Sequence, residues 1–196
     1  MMTSPREYRQ VVLDLLPEQG GWDEEAYLWL TDHTNRLIEF TDGYIEVLPM
    51  PTDEHQGVLD FLNDAVKRHV LPQGVVRFSP LRVRLRDGKV REPDLLLLLD
   101  RHDPRRSNRY WSGADLVMEV VSPDKPERDL IEKRRDYTEA GIPEYWIVNP
   151  LNRTITVLIL DGNAYREHGV FARGAQATSV LLAGFALDVR AVFAAA

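Results

Sequence analysis

Asp94, Glu119 and Lys133 are the residues whose types and spacing could do chemistry. Asp94 follows Pro93 in "EPDLLLLLD", Glu119 sits inside "DLVMEVVSPD", and Lys133 lies in the "DLIEKRRDYTEAGIPEYWIVNP" stretch soon after. An acid in or beside an apolar strand is costly unless something pairs with it. Two such acids and a nearby lysine suit a divalent cation with a proton-transfer partner. Metal-dependent phosphodiester hydrolysis needs that combination.

Side chains alternate along a strand, so Asp115, Val117, Glu119 and Val121 share one face and Glu119 interrupts a packing surface. Taken singly, Glu119 also fits a carboxylate neutralised by an arginine, and Asp94 a turn acid at a strand start. The next helix shifts the balance. Asp129, Lys133 and Tyr137 fall at i, i+4 and i+8 and form one stripe. The Asp129–Lys133 spacing is also that of an ordinary surface ion pair. Yet this helix links the Glu119 strand to the next one, which places Lys133 to reach both acids.

Other candidates are weaker. Glu39, mid-strand in "RLIEFT", is a third acid. His55 opens the first core helix, where a histidine more often caps or packs. Lys125, in "SPDKPE", is a rival lysine on a loop. His33, His69, His102 and His168 lack metal-ligand spacing, and Ser122 has no histidine partner in view. The sequence has neither a P-loop nor a Gly-x-Gly-x-x-Gly motif.

The elements that must position these residues are legible. Residues 5–16 and 23–34 read as short helices. "RLIEFTDGYIEVLP" reads as two strands around Asp42-Gly43, a hairpin signal. Val58, Phe61, Leu62, Ala65, Val66 and His69 give helical spacing over 53–70, with Thr52 or Asp53 as cap. "LRVRLRDGKVREPDLLLLLD" reads as a second hairpin whose apolar second strand is covered on both faces. A polar, arginine-rich loop follows over 101–111, and then the "DLVMEVV" strand. A helix over 127–140 stops at Gly141, with Pro143 beyond it. "EYWIV" and "TITVLIL" are strands, and the tail gives a last strand and a short helix. The expectation is α+β, with one mixed sheet and few helices.

The 196 residues suit one domain, and 44% apolar with 28% charged residues is a globular composition. The absence of cysteine excludes disulfides, zinc-thiolate sites and cysteine nucleophiles. The start, "MMTSPREYRQ", lacks a secretory apolar core, and the Leu95–Leu99 run is too short to span a bilayer. A cytoplasmic protein is expected. The net charge of −7 argues against nucleic acid as a partner, but residues 72–110 hold ten basic and five acidic residues. Such a zone either grips phosphates or is a solvated arginine face.

From about Arg36 to Phe193 the chain resembles the Uma-type restriction endonuclease family, a branch of the PD-(D/E)XK nuclease superfamily. "IEFTDGYIEVLP", "REPDLLLLLD", "DLVMEVVSPD", "RDLIEKRRDYTEAGIPEYWIVNP" and "LLAGFALDV" carry the resemblance, with Asp115 to Pro150 most specific. It implies a restriction-endonuclease-like core, a mixed sheet flanked by helices, over 36–196, after an N-terminal helical segment over 1–35. Asp94 matches the aspartate of the PD motif and Glu119 the acid of (D/E)XK. The usual lysine position falls on Val121, and the family pattern moves the lysine to the next helix, onto Lys133. Glu39 matches the N-terminal acid. The resemblance further implies Mg²⁺ or Mn²⁺ held by Asp94, Glu119 and the Val120 carbonyl. DNA is the implied substrate, no membrane is involved, and a homodimer is left open. Two alternatives stand beside this reading. One is a catalytically silent binding or regulatory module, favoured by the negative charge and by Val121. The other is a metal hydrolase of small phosphodiesters.

Overall fold

A computed structural model describes residues 16–195. The helix expected over 5–16 falls almost wholly outside them. Helix α1 (Glu24–Asp32) is capped by the Asp23 carboxylate, which accepts from Ala26 N at 2.7 Å. Strands β1 (Ile38–Thr41) and β2 (Tyr44–Val47) form the expected hairpin. Its turn places Asp42 at φ 47° and Gly43 at φ 92°, the left-handed pair that a two-residue hairpin loop demands. A Cβ on Gly43 would also stand 2.7 Å from Gly20 O, so glycine is needed there twice over. Helix α2 (Asp53–Val70) starts at Thr52, whose hydroxyl accepts from His55 N at 3.2 Å.

The remaining strands are β3 (Val75–Phe78), β4 (Val83–Arg86), β5 (Lys89–Arg91), β6 (Leu95–Leu98) and β7 (Leu116–Val120). A π-helical turn (Arg128–Glu132) then runs into α3 (Lys133–Glu139). Strands β8 (Glu144–Asn149), β9 (Thr154–Asp161), β10 (Ala164–Phe171), β11 (Gln176–Thr178) and β12 (Ala186–Asp188) lead to α4 (Val189–Val192).

The architecture is α+β with a central mixed sheet, six strands in the order β10-β9-β8-β7-β6-β3. Strands β7 and β8 pair in parallel because the π turn and α3 carry the chain back across the sheet between them. One face, with Leu95, Leu97, Met118 and Val120, packs on α2. The other, with Leu96, Val117 and Val121, packs on Tyr137 of α3 and on Tyr145. Strands β6 and β7 are therefore buried on both sides, as the apolar run of β6 and the single polar residue of β7, Glu119, would lead one to expect.

Two expectations need correction. The single sheet is joined by a separate four-stranded one, β2-β1-β5-β4, and by the β11–β12 ribbon. The stretch read as one hairpin over Leu81–Asp100 is divided between the two larger sheets, with β5 in the small one and β6 in the large one. Pro93 sits at the break, where it has no N–H to offer a ladder. Strands β3, β10 and β11 lack a clean period-2 signal and are not legible in the sequence. Among the described residues no helix is long and apolar enough to cross a membrane.

Candidate active site

The β6–β7 register pairs Leu95 with Met118, so the next step along the ladder sets Asp94 beside Glu119. Asp94 N donates to Glu119 Oε2 at 3.3 Å. Asp94 Oδ2 accepts from Val120 N at 2.7 Å and lies 3.1 Å from His55 Nε2 on α2. Burial works against ionising Asp94. The His55 hydrogen bond and charge, Lys133 and the Val120 N–H outweigh it and hold the carboxyl below its ordinary value.

Glu119 is 1% exposed. Its Oε1 receives Lys133 Nζ at 2.9 Å and the Tyr137 hydroxyl. Burial pushes this carboxyl up to about 8, against the pull of Lys133 and with help from the charges of Asp94 and Asp129. Lys133 Nζ also lies 3.3 Å from Asp129 Oδ1 and 3.7 Å from Glu39 Oε1. Burial would strip the proton from Lys133, but Glu119, Glu39 and Asp129 together raise its pKa. The ammonium is the hub of a carboxylate cluster.

Asp94, Glu119, Val120, Lys133, His55 and Arg128 line a cavity of about 550 Å³, a volume suited to a small ligand. Glu39 stands behind Lys133 and lines a second hollow of about 240 Å³. Its Oε1 accepts from Glu92 N at 3.2 Å, and Arg91 Nε is 3.6 Å from its Oε2. The structure thus brings Asp94, Glu119 and Lys133 to one wall and keeps Glu39 one lysine away. The rival Lys125 is exposed and pairs with Glu46 at 2.7 Å, away from that wall. Val121 is buried in the aromatic cluster of Tyr137 and Tyr145.

The sequence context of His55 points only to capping or packing, yet its Nε2 lies 3.1 Å from Asp94 Oδ2. Helical spacing from His55 to Val58, Leu59 and Leu62 was the signal that it faces the sheet. Arg91 and Lys89, read as part of a basic zone, bind Asp136 Oδ2 and Oδ1 at 2.6 Å each in the interior. Much of that zone is consumed likewise: Arg82–Asp32 at 2.7 Å, Arg84–Glu24 at 2.7 Å, Arg86–Asp42 at 2.7 Å and Arg105–Asp115 at 2.6 Å. These arginines are therefore ion-paired, while Arg77 and Arg101 of the same zone are exposed.

Among solved structures, the chain is similar to a protein of DUF820 from Anabaena variabilis ATCC 29413, described as a "putative nuclease". The TM-score is 0.67 at 19% identity, covering 81% of this chain and 90% of that one, a likeness of fold. No curated protein matches the chain. A family model matches residues 23–190, spanning both sheets and every residue of the cavity wall described above. The chain belongs to that family, Uma2, described as "Putative restriction endonuclease".

Proposed function

We propose that this chain is a Mg²⁺-dependent endonuclease, with Mn²⁺ able to substitute, that hydrolyses phosphodiester bonds in DNA. The observation that carries the reading is the meeting of Asp94 and Glu119 on the cavity wall, with Lys133 Nζ 2.9 Å from Glu119 Oε1. Membership of the family supports the nuclease activity.

The donor set fits a hard cation. Asp94 takes its hydrogen bonds on Oδ2, which leaves Oδ1 for a metal. Among the described residues no group of three or more His, Asp or Glu side chains forms a metal cluster. Asp94, Glu119 and the Val120 carbonyl would hold the ion, a short protein set that Mg²⁺ accepts by keeping waters. Such an ion, when bound, acidifies water and polarises a phosphate oxygen.

The protein's own groups do the rest. Val120 N–H and His55 fix one oxygen of Asp94, while Lys133 and Tyr137 fix one oxygen of Glu119. Lys133 stays protonated among its carboxylates, so it acts as a fixed positive charge beside the phosphate and not as a base.

Cleavage of plasmid DNA with Mg²⁺ or Mn²⁺, with and without EDTA, tests the proposal. Cutting that EDTA abolishes is expected. Cutting that ignores EDTA, or no cutting of any DNA tried, overturns it. The ion-paired arginines favour a second reading, a hydrolase of small phosphodiesters. A salt series separates the two, because duplex binding weakens steeply with salt.

A further inference from the structure

Arg128 shares the cavity wall with Asp94, Glu119 and Lys133. Its guanidinium is buried, the residue being 8% exposed, yet among the described residues Nε finds no acceptor. The carboxylates it approaches, Glu46 Oε1 and Asp129 Oδ1, stand 3.9 Å away, too far for hydrogen bonds. Arg91, equally deep, is satisfied by Asp136 at 2.6 Å. A buried donor without a partner costs free energy, more so when charged, and the cost is removed when an anion arrives.

The helix explains the placement. Lys133 N–H bonds the Arg128 carbonyl, five residues back, as a π turn requires. In a regular α-helix residues five apart point about 140° away from each other. The wider π turn brings them closer to one line, so Arg128 and Lys133 line the same two hollows. The smaller hollow adds Lys89, Arg91 and Arg135 to these two cations, against Glu39, Glu46 and Glu132.

We propose that Arg128 is a phosphate clamp: its guanidinium takes the non-bridging oxygens of a phosphate group lying beside Lys133. Guanidinium geometry matches two phosphate oxygens at once, which an ammonium cannot do. The proposal rests on the phosphodiesterase reading for its biological meaning but not for its test. The phosphate arrives either within a nucleic-acid strand or as a free or terminal group.

The test uses the metal-free full chain. Arginine side-chain Nε–H resonances are followed by NMR during titration with inorganic phosphate and, separately, with the dinucleotide d(TpT). The Arg128 signal should shift on phosphate binding. Arg128→Gln should weaken that binding at least tenfold, and Arg128→Lys, which keeps the charge but loses the fork, should recover only part of it. A shift with d(TpT) as well identifies the phosphate as part of a strand. A shift with inorganic phosphate alone identifies a free or terminal group. No shift with either, or binding that Arg128→Gln leaves unchanged, overturns the clamp. The wild-type titration needs no variant to fold. If the protein cleaves no DNA while the Arg128 resonance still responds, the endonuclease reading fails and the clamp stands. If it cleaves while the resonance is inert, the reverse holds.

Discussion

Lys133 Nζ, on α3, and Glu119 Oε1, on β7, lie 2.9 Å apart at 2% and 1% residue exposure. The pair joins the central sheet to its covering helix. It is also one side of a cluster in which Asp129 and Glu39 share the same ammonium. A lysine–carboxyl contact this deep is held less by its own attraction than by the cost of breaking it.

Removing the lysine should therefore cost stability as well as activity. Lys133→Met strands Glu119, Glu39 and Asp129 and should destabilise the fold by about 3–5 kcal/mol. Urea denaturation reads this, and Mg²⁺ should restore part of the loss. Cleavage should fall about a hundredfold or more, while calorimetry shows metal binding unchanged or tighter, because a positive charge beside the cation is gone. Lys125→Ala, at an exposed ion pair, should leave both within about 0.5 kcal/mol and full activity. A dead Lys125→Ala beside an active Lys133→Met would move the catalytic role to the loop.

The two acids should behave differently from the lysine. Asp94→Ala or Glu119→Ala should abolish Mg²⁺ or Mn²⁺ binding in calorimetry and cleavage with it. Retained metal affinity in either variant would mean that the ion is held elsewhere.

Stability should depend on pH through Glu119. Its folded carboxyl titrates near 8 and its unfolded one near the ordinary 4.5, so the folded state holds the extra proton between those values. This contribution is present in full below 4.5 and fades as pH rises toward 8. Glu119→Gln should remove it and gain on wild type as pH increases, in urea melts of the metal-free proteins. Mg²⁺, which binds the ionised form, should flatten the wild-type slope. Equal slopes for wild type and Glu119→Gln without metal would mean that Glu119 ionises normally.

Asp136 anchors the smaller sheet to α3 by holding both Lys89 and Arg91 at 2.6 Å. Asp136→Ala leaves Lys89 only the longer pair with Glu139 at 3.8 Å and Arg91 only that with Glu39 at 3.6 Å, and should cost about 3–5 kcal/mol in chemical denaturation. Metal affinity of the folded fraction should be unchanged, since Asp136 does not line the cavity. A neutral substitution would show that water reaches these cations.

The sequence by itself determined the local pieces. Asp42-Gly43 specified its hairpin because the turn needs two positive φ angles. Thr52 marked the start of α2, and the apolar runs around Asp94 and Glu119 marked buried strands. Alternation placed Glu119 on the face that meets Tyr137. Tertiary structure alone decided what each acid meets. His55 reaches Asp94 across 39 residues, and Glu39 comes from another sheet to share Lys133. Glu144, unremarked in the sequence, is buried and gathers Trp146 Nε1, Ser179 Oγ and the N–H groups of Val180 and Leu181. Sequence periodicity records which face of an element is apolar. Which elements face each other depends on burying all such faces at once, and so does the pairing of charges left inside. The π turn that aligns Arg128 with Lys133 is likewise a product of that packing, since no local propensity encodes it.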